Sequence, residues 1–183
     1  MIEPDPEFSL ETPRLRLRPY RTDDLDALAA ILGDAETMQY YAAPFTRAQS
    51  RRWIEQNIER YRDDGFGLWA MDLRATGEFA GNCGLVARMV ADEREVEIGW
   101  HVARHLWGQG LAPEAAVACR DYGATELGIT RLISLIRPVN TPSRRVAEKI
   151  GMTVEKEVPY GPERWPHLVY VWPPPDRTRA EIP

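Results

Sequence analysis

Residues Glu95–Ala118 read EVEIGWHVARHLWGQGLAPEAAVA, and this stretch decides the fold. Val96, Ile98, Trp100 and Val102 alternate with Glu95, Glu97, Gly99 and His101. That period of two predicts a strand with unlike faces. Arg104 to Gly110 then forms a short loop with Gly108 and Gly110 around Gln109. Beyond it, Ala112, Ala115, Ala116, Cys119, Tyr122 and Gly123 recur at the three- and four-residue spacing of a buried helical stripe. Pro113 falls in the first turn, where its missing N–H has no helical partner to lose. A glycine loop feeding a helix start suits an anion: the first amides lack internal partners, the helix dipole adds positive potential, and glycines let the backbone close in. An ordinary strand-to-helix turn could use the same Gly-x-Gly. The run is not a P-loop, because no Gly-Lys-Ser/Thr follows, and it is shorter than GxGxxG.

Read as a six-residue unit, His105-Leu106-Trp107-Gly108-Gln109-Gly110 resembles the acetyl-CoA-binding motif of the GNAT acetyltransferases, Gln/Arg-x-x-Gly-x-Gly/Ala. WGQGLAPEA is similar to the Rim-type branch, which includes ribosomal-protein N-terminal acetyltransferases. LETPRLRLRPYRTDDLDAL near the start and NTPSRRVAEKIGM, Asn140 to Met152, stand in the order that branch has them. The resemblance implies one α/β domain with a mixed, mostly antiparallel central sheet flanked by about four helices. We expect a lead-in over residues 1–11, the domain over 12–172 and a Pro-rich tail over 173–183.

Composition fits that picture. The chain has 183 residues, enough for one domain with a real core. No apolar run is long enough to span a membrane, and the acidic N-terminus lacks the form of a signal peptide. Cys83 and Cys119 are expected as core thiols, and a cytoplasmic location follows. The net charge of −5 disfavours nucleic acid and favours a cationic acceptor. The oligomeric state stays open, a homodimer being one option.

The flanking elements can be read in order. Arg14–Arg18 predicts a strand with Leu15 and Leu17 inward. A helix follows, capped by Thr22 or Asp23, with Leu25, Leu28, Ala29 and Leu32 buried. Glu36–Phe45 carries Met38, Tyr40, Tyr41 and Phe45, which serve packing or an acceptor pocket. A second helix runs over about 47–64. Phe66–Arg74 and Glu78–Arg88 predict a hairpin turning at Thr76–Gly77. Met89–Arg94 reads as a polar connection. Arg131–Val139 predicts a buried strand and Asn140–Ile150 a short helix capped by Asn140 or Thr141. Met152–Val158 and His167–Trp172 predict a final antiparallel pair joined by PYGPERWP.

The resemblance implies direct transfer of an acetyl group from acetyl-CoA to an amine, either a protein N-terminus or a small molecule, with no metal. The pyrophosphate would rest on backbone amides of Trp107, Gly108, Gln109, Gly110, Leu111 and Ala112. His105 stands where the family carries Gln or Arg, and Arg145 is the candidate phosphate cation. The pantetheine arm would pair with the backbone of Trp100, His101 and Val102, and the Val102 N–H would polarise the thioester. Glu97 is the candidate general base, against a structural carboxylate bonding a neighbouring strand. The family's helix Tyr is replaced by Ala147, so Ser143 is the candidate acid, against a hydroxyl capping its own helix. Asn140 contacts the cofactor or serves only as the cap. The competing reading is a non-catalytic acyl-CoA-binding module. His101 and His105 lack the HExxH glutamate of a zinc site.

Overall fold

The computed structural model describes residues 8–173. Its centre is one eight-stranded sheet in the order β1-β2-β3-β4-β5-β6-β8-β7. The strands are β1 (Leu10–Glu11), β2 (Leu15–Arg18), β3 (Leu68–Leu73), β4 (Phe79–Val90), β5 (Glu93–Val102), β6 (Leu132–Ile136), β7 (Thr153–Tyr160) and β8 (Trp165–Trp172). Four helices accompany them: α1 (Leu25–Leu32), α2 (Arg47–Asp63), α3 (Leu111–Thr125) and α4 (Thr141–Lys149). All neighbours pair antiparallel except β5 and β6, which run parallel. The expected class is therefore the observed one.

Side-chain alternation explains which helix covers which face. On β5, Ile98 and Val102 are buried on the α3 side, and Cys83 of β4 meets Cys119 of α3 at 3.7 Å. The opposite face of β5 carries His101, whose ring lies 5.9 Å from Trp53 of α2. The small stripe of α3 works as its spacing implies: Ala115, Ala116 and Cys119 have no exposed surface. A Cβ on Gly123 would already press on Leu85 at 3.0 Å. Leu15 and Leu17 of β2 are fully buried, as their alternation predicts.

Several local details differ from the sequence reading. The lead-in ends early: Leu10 and Glu11 pair with β2, and residues 1–7 lie outside the described chain, as does the tail from 174. Neither Thr22 nor Asp23 caps α1. A 3-10 turn over Thr22–Asp24 precedes that helix, and Asp24 accepts the Arg21 N–H at 2.7 Å. The connection over Met89–Arg94 shrinks to two residues, because β4 and β5 extend to Val90 and from Glu93. Ala91 (φ 50°) and Asp92 (φ 68°) are both left-handed, the signature of a two-residue hairpin turn. No glycine marked it. PYGPERWP is also half strand, leaving only residues 161–164 between β7 and β8.

Candidate active site

The site begins where β5 and β6 part. Their pairing is limited to Glu97 with Ile133. Beyond that point Ser134 reaches across with its hydroxyl to the Ile98 carbonyl, at 2.6 Å. Past this tie, a cavity of about 430 Å³ opens between the last residues of β5, the start of α3 and the start of α4. Trp100, His101 and Val102 form one wall and Asn140, Ser143 and Arg145 another. The α1–α2 link closes a third side with Tyr40 and Tyr41. A smaller cavity of about 90 Å³ lies beside it, bounded by Glu97, Arg88, Trp53 and Ser134. Tyr41, Trp100, His101, Asn140 and Ser143 line both spaces and so mark their junction.

The glycine loop forms the floor of the larger cavity. Gly108 and Gly110 sit at φ 76° and 77°, where a side chain is strained. Around Gly108 nothing would meet an added Cβ, so the loop surface is open there. Gly110 is the N-cap of α3, which leaves the helix's first amides free of a side-chain cap. The loop is held from behind. Arg14 donates to the Gln109 carbonyl at 2.8 Å and to Glu114 of α3 at 2.7 Å, and Thr12 donates to Glu114 at 2.6 Å. Burial would raise the Glu114 carboxyl, but the Thr12 and Arg14 donors outweigh it and hold it below its usual range. A tie spanning about a hundred residues of sequence leaves no local signal, and the sequence reading missed it.

The expected residues divide. Trp107 lines the larger cavity and anchors itself by donating Nε1–H to the Val102 carbonyl at 2.7 Å. Leu111 and Ala112 line it as well. Gln109 contributes its carbonyl to Arg14 rather than a cavity wall. His105 turns away, its Nε2 lying 2.6 Å from a Glu78 oxygen. Asn140 caps α4 by accepting the Ser143 N–H at 3.2 Å, and it also lines both cavities. The Ser143 hydroxyl has no hydrogen-bond partner among the described residues, so the capping is done by Asn140 instead. Arg145 faces the cavity with Lys149, whereas Arg144 is occupied by Tyr170 and the Pro138 carbonyl. Arg104 pairs with Glu36 and Asp34, bracing the α1–α2 link.

Glu97 stands in the wall of the small cavity, ion-paired with Arg88 across the β4–β5 ladder. Its other oxygen accepts from the Leu135 N–H at 3.4 Å. The paired Glu97 charge raises the Arg88 guanidinium further above its usual range, against the pull of burial.

Four residues along the same face is a second polar chain that sequence reasoning did not find. Tyr41 lies 2.8 Å from His101 Nε2, and His101 Nδ1 lies 3.0 Å from Asn82 Oδ1. Burial pushes the His101 imidazole down to about 4. Tyr41 leaves 43% of its surface exposed, but its hydroxyl points inward, and burial assisted by the Glu97 charge pushes it up to about 12. Among the described residues no group of three or more His, Cys, Asp or Glu could hold a metal. No helix among them is long and apolar enough to cross a membrane.

Comparison with known proteins agrees with this geometry. The family model for the acetyltransferase (GNAT) domain matches residues 14–153. YkkB of Bacillus subtilis is 40% identical over 150 residues, spanning 81% of this chain and 87% of its own. The uncharacterised N-acetyltransferase p20 of Bacillus licheniformis is 32% identical over 80% of this chain and 83% of its own. A GNAT-family acetyltransferase from Bacillus anthracis has a TM-score of 0.76 at 29% identity, covering 90% of this chain and 97% of that one. RimL, a ribosomal alpha-N-protein acetyltransferase solved in complex with coenzyme A, shares the fold with a TM-score of 0.72 at 18% identity, covering 90% and 97%.

Proposed function

The chain belongs to the GNAT acetyltransferase family, and from that premise we propose that it moves an acetyl group from acetyl-CoA to a primary amine by direct attack. One observation carries this reading: the strands β5 and β6 part beside a left-handed glycine loop at a helix start, leaving a cavity between them. That arrangement offers what the co-substrate needs. A diphosphate fits the amides from Gly108 to Ala112, the Trp107 N–H being taken by the Arg104 carbonyl, with Arg145 and Lys149 as cations on the facing helix. A pantetheine arm carries amides, and the edge of Trp100–Val102 that β6 leaves offers backbone groups to them, except for the Val102 carbonyl taken by Trp107. The coenzyme A complex of RimL, a protein of the same fold, supports the choice of ligand.

The acceptor amine enters the small cavity, where its nitrogen meets the thioester at the shared wall. Ser143, whose hydroxyl is free, serves the departing thiolate as hydrogen-bond donor. Glu97 is held in an ion pair by Arg88, and to accept a proton it must first release that arginine. The acceptor is a protein N-terminus or a small amine. Mass spectrometry of an amine and N-terminal peptide panel incubated with acetyl-CoA tests the reaction and the acceptor class together. We expect a gain of about 42 mass units on at least one amine, with release of free thiol. Coenzyme A binding without turnover on any amine would instead favour a non-catalytic acyl-CoA-binding module.

A further inference from the structure

We propose that Tyr41 and His101 form the proton relay of the transfer reaction, with Tyr41 touching the acceptor nitrogen and His101 carrying its proton. This rests on the acetyl-transfer reading above. Three observations lead to it. The first is position: both side chains line both cavities, so they stand where nitrogen and thioester would meet, whereas Glu97 lines only the small one. The second is hydrogen-bond polarity. Asn82 presents Oδ1, an acceptor, to His101 while its Nδ2 stays without a partner, and this amide orientation puts the His101 proton on Nδ1 and a lone pair on Nε2. The Tyr41 hydroxyl donates to that lone pair, which turns the phenol oxygen's own lone pairs towards the cavity. The third is the state of the competing base, since Glu97 is engaged by Arg88 and by the Leu135 amide.

The groups facing His101 are Tyr41 from the α1–α2 link, Trp53 from α2 and Asn82 from β4. The nearest charges are Glu97 and Arg88 in the small cavity, and they form an ion pair. The imidazole is therefore neutral over the physiological range, and burial is the cause. Such a group makes a poor resting base but a good carrier. It takes a proton only from a nitrogen made acidic by bond formation, and it gives that proton up readily.

The protons balance. The acceptor ammonium first loses one proton to water. As the neutral nitrogen bonds to the thioester carbon, an N–H proton passes to the Tyr41 oxygen, and the Tyr41 O–H proton passes to His101 Nε2. The C–S bond then breaks with its electron pair on sulfur. The imidazolium returns its proton through Tyr41 to the thiolate. The products are an amide and free thiol, and both side chains end as they began.

Two measurements on the full chain test this. In the first, imidazole 15N NMR in the presence of coenzyme A is assigned with His101→Gln. It should give His101 as the neutral Nδ1–H tautomer with a midpoint near 4. An Nε2–H tautomer overturns the relay because Nε2 would then lack a free lone pair. In the second, the amine turned over best from the panel is used for kinetics. Tyr41→Phe and His101→Ala should each lower kcat by about 10²-fold with coenzyme A affinity unchanged. Added imidazole should restore part of the His101→Ala rate, which a purely structural role would not allow. His101→Gln, which keeps a polar side chain beside Asn82, replaces the alanine variant if that fails to fold. Variants turning over at the wild-type rate overturn the relay and leave the acetyl-transfer reading intact. A wild-type chain that ignores coenzyme A, or that acetylates no amine, overturns both.

Discussion

The two halves of strand β5 make an instructive pair. From Glu93 to Glu97 the strand is saturated: Glu95, only 7% exposed, takes Arg131, and Glu97 takes Arg88. Arg131 is shared in turn with Glu155 of β7. From Gly99 to Val102 the same strand has lost its β6 neighbour, and its one titratable side chain is a half-buried histidine that burial keeps neutral. Both halves show the same face to α2, yet one is locked by ion pairs and the other is open to a ligand. Acid–base character is therefore set by neighbours and not by the strand itself. A carboxylate in the alternating pattern was the obvious base to read, but the ladder hands it an arginine.

The largest test of the open half lies at its floor. Gly110→Asp should weaken coenzyme A binding at least about 10³-fold by calorimetry, since a carboxylate would stand among amides meant for a diphosphate. Unchanged affinity would break the comparison outright. Next comes acid stability. The His101 folded value is depressed, so the unfolded chain binds the extra proton first as pH falls. Stability should be complete above about 6.5 and decline towards 4, by roughly 3 kcal/mol in total. Urea midpoints across that window should show the slope in the wild type and lose it in His101→Gln.

The locked half gives smaller effects. Arg88→Met strands a carboxylate that is 13% exposed and should cost about 2 kcal/mol in urea unfolding, with Glu97→Gln added to it recovering most of the loss. Glu97→Gln alone should lower kcat less than about tenfold. A fall of about 10²–10⁴-fold would return the base to Glu97 and erase the distinction between the halves. The least effect is expected at the turn that opens the strand. Ala91 sits at φ 50°, so Ala91→Asn should stabilise by about 0.5–1 kcal/mol without touching turnover.

How much of this could be read from residues follows from range. Alternation in Val96–Val102 and the small stripe of α3 are local, and both elements appear where the pattern puts them. The glycine loop, Asn140 and Ser143 were legible because a short motif carries its own geometry. The Ala91–Asp92 turn was not, because its conformation is imposed by the ladder on residues that do not prefer it. The insertion of β8 between β6 and β7 left no local trace. Nor did the Asn82–His101–Tyr41 chain, since it is fixed only when three separate segments meet, while the Arg88 partner of Glu97 depends on the exact register of the β4–β5 hairpin. Family likeness points at backbone positions in β5 and is silent on the His101 side chain.

The bracing of the glycine loop by Thr12 and Arg14 has a practical corollary for anyone shortening this protein. Neither residue lines the cavity, and both precede the first long strand, so they invite trimming. Cutting the chain back past Arg14 would nonetheless loosen a ligand cradle that lies almost a hundred positions downstream. The resulting species could fold, stay in solution and still have lost its grip on its substrate.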